Sequence, residues 1–409
     1  MIRKSLRSGC YFTSRTVMVF YERTDISLPK RIGYLYEELC QIEQVHDAFH
    51  NAIRRKKSHP SDFTRLLIES EDALCEAIQY MMEYEIYEPS TPHCFKVVDG
   101  ISGKVRDVQA PQLCPDQIIH WNLMLTLDRV IMKGMYAHSC GSIPGRGPSH
   151  AKRYLEKKLR SPGGTSKYKF CLKMDIHHFF QSIDQDILVL MFRRKIKDKK
   201  MLALIEAIIY SVQEGLPIGY YTSQWFSNFY LEAFDHFVKE ELKVDCYVRY
   251  VDDIVICGSN KRKLHRICDR IAEYLWDNLH LKLKDNYQVF RVAVRGIDFC
   301  GFRFYHDRTG IRKAILINIA RANRKLDGPA TKHALASMIS YYGWLDQTDT
   351  YVYMKRNLTG SKQNAIRRFK ILDKAGLDSE VELMKLKRNS LLEPVVYRDL
   401  NEKALVGAL

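Results

Sequence analysis

Tyr247-Val248-Arg249-Tyr250-Val251-Asp252-Asp253-Ile254-Val255-Ile256 places two apolar-rich runs on either side of adjacent aspartates. The pattern predicts a strand, a tight turn and a second strand. Aspartate is common in turns because its side chain bonds to nearby backbone. Neighbouring carboxylates also repel, which raises the pKa of one of them unless a cation lies between them. The pair therefore reads either as turn chemistry or as a cation site.

An upstream run bears on the choice. Phe170-Cys171-Leu172-Lys173-Met174-Asp175-Ile176 predicts a buried strand delivering Asp175 at its end, followed by a turn through His177-His178-Phe179-Phe180 into a helix. Nucleotidyl transfer uses two divalent ions roughly 4 Å apart, one activating the attacking hydroxyl and one holding the triphosphate. Mg²⁺ takes oxygen ligands and keeps several waters, so two or three carboxylates suffice for both ions. One Asp from a strand end and two from a neighbouring hairpin meet that need. The plainer role for Asp175 is an N-cap of the next helix.

Tyr250-Val251-Asp252-Asp253 resembles the YxDD box of reverse transcriptases, and Lys173-Met174-Asp175-Ile176 with Phe179-Phe180 resembles their first catalytic motif. Between them, Gly215-Leu216-Pro217-Ile218-Gly219-Tyr220-Tyr221-Thr222-Ser223-Gln224 is similar to the segment that contacts template and nucleotide. Many relatives carry Gln-Gly-x-x-x-Ser-Pro there. This chain has Ile218-Gly219 and Ser223-Gln224, a variant that resembles diversity-generating retroelement and phage-defence enzymes of bacteria. Lys104-Val105-Arg106 with Ala110-Pro111, the loop Cys140–Gly147, and Gly296–Phe304 resemble the triphosphate clamp, the fingers loop and the primer-gripping hairpin. The resemblance covers roughly residues 90 to 345 in the family's motif order.

The resemblance implies an α+β right-hand polymerase fold: an N-terminal helical extension (1–90), fingers (91–168), a palm with an antiparallel sheet backed by helices (169–308), a helical thumb (309–350) and a short basic C-terminal extension (351–409). It implies an RNA-directed DNA polymerase copying a structured non-coding RNA into cDNA, in an antiphage-defence system or a diversity-generating retroelement. Asp175, Asp252 and Asp253, with the Ile176 carbonyl, would hold two Mg²⁺ ions, for which Mn²⁺ could substitute; Asp253 is the less direct ligand. Lys104, Arg106, Gly219, Ser223, Gln224 and Lys284 would bind the nucleotide; Lys282 competes with Lys284 for its place. Phe180 falls at the steric-gate position, with Phe179 the alternative. Arg146, Tyr250, Gly301, Arg321, Arg324 and Lys325 would meet template or primer. The implied partners are an RNA template, its cDNA, deoxynucleotides, a dedicated non-coding RNA, and an accessory protein or a second copy of the chain.

Composition agrees. Lys and Arg total 64 against 48 Asp and Glu, a net charge of +16. Such an excess suits a polyanion, because displaced counterions supply most non-specific nucleic-acid affinity. The 11 cysteines form no C-x-x-C pair, which fits a reducing cytoplasm. His46 and His50 lie at a zinc-compatible helical spacing but lack an evident third ligand, so they read as surface histidines. No signal peptide or membrane-length apolar run is visible.

Leu35, Leu39, Ile42, Val45, Phe49 and Ile53 recur at helical spacing, as do Phe63, Leu67, Leu74, Ala77, Ile78 and Met81. The basic run Arg193–Lys200 precedes an expected helix Leu202–Val212 and reads as a solvated face. Beyond Phe304, Arg321, Arg324 and Lys325 lie in one helical pattern and Met338, Tyr341, Tyr342, Trp344 and Leu345 in a second. The tail matches neither a ribonuclease H domain nor a zinc-bearing nuclease. Two competing readings are a maturase-like RNA-binding protein of a mobile intron with secondary polymerase activity, and a scaffold with a dead polymerase site.

Overall fold

The computed structural model describes residues 31–366, apart from 55, 57–60, 99–102, 104, 328–330, 359, 361, 363 and 365. The described chain forms two compact units, one running to Arg295 and the other starting at Gly296.

The first unit is built on a five-stranded sheet in the order β3-β5-β6-β4-β7. Its strands are β3 (Ser139–Cys140), β4 (Phe170–Asp175), β5 (Cys246–Tyr250), β6 (Asp253–Gly258) and β7 (Gln288–Arg291). All neighbours are antiparallel except the short β3–β5 pair. The central strands read as apolar runs because they are covered: helix Lys261–Leu279 packs on β4, β6 and β7, and helix Pro148–Leu159 on β5. Leu264, Ile267, Cys268, Ile271, Leu275 and Leu279 form the buried stripe of the long helix at helical spacing. Two strands stand apart, β1 (His93–Val98) paired with β2 (Val105–Ala110), as an exposed antiparallel hairpin.

Each expected N-terminal helix is split in two. Leu35–Leu39 is separated from Ile42–Ile53 by Gln41, whose backbone is extended, and Asp62–Glu69 from Glu71–Glu83 by Ser70. The apolar rhythm survives both breaks because all four pieces feed one core. Val45, Ala48, Phe49 and Ile53 meet helix Ile118–Met132, which is buried nearly all round. The basic run is also redistributed. The helix expected at Leu202–Val212 runs Lys199–Ile209, where the side chain of Asp198 accepts from the Met201 amide. Arg193, Arg194 and Lys195 close the preceding helix, at the end where its dipole favours cations.

The second unit holds a three-stranded antiparallel sheet of β8 (Ile297–Phe299), β9 (Phe302–Phe304) and β10 (Thr309–Ile311), with helices Lys313–Arg324, Lys332–Asp346 and Tyr351–Asn357. The β8–β9 hairpin, assigned to the palm from sequence, packs here, with Phe299, Phe302 and Phe304 buried. Its turn residues Cys300 and Gly301 both have positive φ, 49° and 85°, as a two-residue hairpin of this hand requires. A Cβ on Gly301 would sit 2.5 Å from the Trp344 ring, so only glycine fits.

Candidate active site

Side chains alternate across a strand, so Lys173 and Asp175 share one face of β4. The register sets Asp175 directly opposite Asp253 on β6, while Tyr250 at the end of β5 also faces Asp253. Asp252 sits in the turn between β5 and β6, and its carbonyl accepts from the buried Ile176 amide at 3.3 Å. The chain after helix Lys261–Leu279 closes the other side. His177 N–H donates to the Lys282 carbonyl at 2.8 Å, and Lys284 N–H to the Asp175 carbonyl at 2.9 Å. Three aspartates from two strand ends and one turn thus face one place.

Their electrostatics carry the cost of that convergence. Burial pushes Asp253 up to about 6, against the lowering pull of Lys173. Burial raises Asp252 as well, and the nearby Asp175 charge adds to it while Lys284 and Arg106 oppose it. Lys284 forms an ion pair with Asp175 Oδ1, and Lys173 Nζ lies 3.2 Å from Asp253 Oδ2. Among the described residues no three His, Cys, Asp or Glu are already gathered as metal ligands; two of the carboxylates are turned to lysines. Asp253 Oδ1 is buried and has no hydrogen-bond partner. Oxygen donors alone, an orphaned buried carboxylate oxygen and raised pKa values together fit a hard divalent cation such as Mg²⁺.

The turn is held by a residue that the sequence reading passed over. Arg249 is fully buried, and its guanidinium forms a two-pronged pair with Asp235, Nε to Oδ1 at 2.9 Å and Nη2 to Oδ2 at 2.6 Å. It also donates to Asn228 Oδ1 at 3.1 Å, Ser139 Oγ at 2.7 Å and the Val251 carbonyl at 2.8 Å. Burial opposes the charge, and the Asp235 carboxylate more than offsets it. Gly141 approaches the same turn so closely that a Cβ there would meet the Val251 side chain at 2.8 Å. An arginine inside an otherwise apolar strand was the available signal.

The other expected residues divide. Arg106 lies on exposed β2, where its charge reaches Asp252; Lys104 lies outside the described residues. Phe179 is buried in the core, whereas Phe180 is half-buried. Gly219 has a φ of 137°, and a Cβ there would lie 2.5 Å from the Gln109 carbonyl. Ser223 is buried at the start of helix Tyr221–Tyr230, and Gln224 accepts from Ser142 Oγ at 2.8 Å. Lys284 reaches the aspartates, while Lys282 lies over the Trp276 ring at 4.7 Å. Arg146 is tied back to the segment before β3, Nη1 donating to the Tyr136 carbonyl at 2.9 Å. In the second unit Arg321, Arg324 and Lys325 are exposed at the end of one helix whose opposite face buries Ile315, Ile319 and Ala322. His46 and His50 do meet a third group, for both rings contact Glu71 Oε1, at 2.9 and 2.8 Å.

Residues 119–304 match the family model described as reverse transcriptase (RNA-dependent DNA polymerase). The chain is similar to the retron Ec73 reverse transcriptase of Escherichia coli, 24% identical over 237 residues, covering 51% of this chain and 74% of that protein. It is equally similar to Protein YkfC of Escherichia coli K12, 24% identical over 250 residues, covering 51% of this chain and 65% of that protein. Among solved structures, a telomerase from Candida albicans with a fragment of telomeric RNA aligns at a TM-score of 0.43 and 11% identity, covering 76% of this chain and 66% of that one. The mixed helix and sheet architecture agrees with a right-hand polymerase fold. Residues 119–304 are thus a reverse transcriptase (RNA-dependent DNA polymerase) domain, and the similarity to the retron enzyme supports an RNA-directed DNA polymerase of the bacterial retroelement type.

Proposed function

We propose that this chain copies a structured non-coding RNA into cDNA, with Asp175, Asp252 and Asp253 as its catalytic carboxylates. The observation that supports this most directly is the opposition of Asp175 and Asp253 across β4 and β6, with Asp252 in the adjoining turn. When bound there, divalent cations supply Lewis-acid activation of the primer hydroxyl and charge stabilisation of the triphosphate. Asp175 and Asp252 would hold them together with the Ile176 carbonyl, Asp253 serving less directly. Arg106 and Lys104 neutralise the phosphates as charge moves to the leaving group. Phe180 sets its ring under the sugar and excludes a 2′-hydroxyl. Gly219, with no side chain, lets its segment pack closely on the fingers hairpin, and Ser223 and Gln224 bear on the nucleotide. Arg146, Tyr250 and Gly301 bear on template or primer, and Arg321, Arg324 and Lys325 track the duplex backbone.

The setting is an antiphage-defence system or a diversity-generating retroelement, a reading supported by the Ile218-Gly219 and Ser223-Gln224 variant. Primer extension on an RNA template by the Asp252→Ala/Asp253→Ala double variant tests the site. Incorporation is lost while the protein stays folded and RNA-bound; retained incorporation overturns the assignment. Sequencing the cDNA made from co-purified RNA identifies the template.

A further inference from the structure

Lys173 belongs to the strand, and to the motif, that delivers Asp175, and the proposed chemistry gives it no task. Its position is specific. Lys173 faces Val255 across the β4–β6 ladder, and Asp175 faces Asp253. Asp253 is thus the diagonal neighbour of Lys173, a separation of about 7–8 Å that a long side chain spans. Lys173 spans it, with Nζ 3.2 Å from Asp253 Oδ2 and both side chains three-quarters shielded, at 25% and 24% exposure. Asp253 accepts this contact through one oxygen, while the other is buried without a hydrogen-bond partner.

We infer that Lys173 is a positioning residue for the candidate metal site, a built-in cation that holds Asp253 against the strand and leaves Asp175 and Asp252 to take the ions. The inference rests on the reading of the three aspartates as cation ligands. Three like charges in a partly shielded site repel one another strongly, and two mobile ions would otherwise have to satisfy all of them. A fixed ammonium on the same strand removes one carboxylate from that demand. It also makes Asp253 directional, because the oxygen bound to Lys173 cannot turn toward Asp175. Lys284 plays a different part, since it arrives from the segment after the long helix and pairs with Asp175.

Without the ammonium, the site is more negative and less ordered. Lys173→Met should therefore bind a divalent cation more tightly yet turn over more slowly. The probe is Mn²⁺ alone, followed by calorimetry and by the electron paramagnetic resonance signal of the free ion, on the full chain without nucleic acid. The expected result is a Kd for Mn²⁺ lowered about threefold to tenfold in Lys173→Met and in Lys173→Gln, since each removes one unit of opposing charge. In primer extension both variants should lose kcat with little change in the deoxynucleotide KM, and Lys173→Arg should restore both readouts. Unchanged or weaker Mn²⁺ binding in the two neutral variants overturns the inference. So does loss of folding in both with retention in Lys173→Arg, which would make the ammonium a requirement of the fold. An Asp252→Asn/Asp253→Asn variant that binds Mn²⁺ as well as the parent would instead refute the reading of the aspartates, whatever Lys173 does.

Discussion

Arg249 donates from Nη1 to the Val251 carbonyl at 2.8 Å, and Val251 adopts a φ of 56°. A β-branched residue in the left-handed region is strained by about 1–3 kcal/mol and persists only when its surroundings enforce it. Here the enforcing groups are the buried guanidinium and the close approach of Gly141. The strain lies one residue before Asp252, so it aims the carboxylates. Replacing Arg249 with Met leaves the buried Asp235 without its cation, held only by the Tyr247 hydroxyl at 2.5 Å, and should cost about 3–5 kcal/mol in chemical denaturation. The double replacement Arg249→Met/Asp235→Leu should recover much of that stability but not polymerisation, because the Val251 carbonyl is still unsupported. Recovery of both would show that the turn needs no clamp.

Sugar choice should follow the half-buried ring. Phe180→Ala or Phe180→Val is expected to admit ribonucleotides, since the excluded volume is the barrier to an added hydroxyl. Phe179→Ala should behave differently. Its ring is in the core, so the change should destabilise by about 3–5 kcal/mol and leave the ribo/deoxy ratio where it was. Competition assays on both variants separate the two phenylalanines.

His120 gives the first unit an acid sensitivity. It is fully buried beside Tyr220, with ring centroids 4.9 Å apart, and neither ring nitrogen has a hydrogen-bond partner. Burial pulls its pKa from 6.5 down to about 4, against the raising influence of Asp116. Between those values the unfolded chain binds the proton and the folded one does not, so stability rises with pH. The contribution is complete above 6.5 and declines as pH falls toward 4, by about 3 kcal/mol in all. His120→Phe keeps the ring contact and should flatten that part of the stability profile; an unchanged slope would place the sensitivity elsewhere.

A dedicated RNA should reveal itself in the salt dependence of binding. Exposed Arg321, Arg324 and Lys325 supply one basic cluster. Arg54 is exposed at the edge of a second, whose Arg55 and Lys57 lie outside the described residues, as does the third cluster, Arg367–Lys370. Generic RNA should dissociate steeply as salt rises, whereas a shaped RNA keeps contacts that release no counterions. Purification at moderate salt followed by sequencing should recover one abundant non-coding RNA. Random cellular RNA, with the slope of a scrambled control, would leave generic binding only.

The strands and turn around Asp175, Asp252 and Asp253 were legible because periodicity and turn chemistry act over a few neighbouring residues. What escaped depended on distant partners. Gln41 and Ser70 interrupt helices whose apolar rhythm continues unbroken, since the break changes direction without changing the face presented to the core. Glu71 meets His46 and His50 from a separate helix, so the spacing of the two histidines could not announce it. Arg249 looked like a charge in a strand; its meaning appears only when Asp235, Asn228 and Ser139 are folded around it. Lys284 and Lys282 are alternate residues of one segment, and only the hydrogen bonds of that segment to Asp175 and His177 decide which one faces the carboxylates.

The seam between Gly219 and Gln109 is made of two unlike contributions. Ile218 contributes its carbonyl, which accepts from the Gln109 amide at 2.9 Å, and any residue has a carbonyl. Gly219 contributes an empty volume, which no other residue has. Adjacent positions in one motif therefore answer to different physical demands: the first acts through its backbone alone, and the second through the side chain it lacks. Substituting Gln at 218 should cost this protein little, whereas Ala at 219 should pry the hairpin strand β2 away from the segment it is stitched to. One position here is read by its backbone contact, and its neighbour by a missing atom.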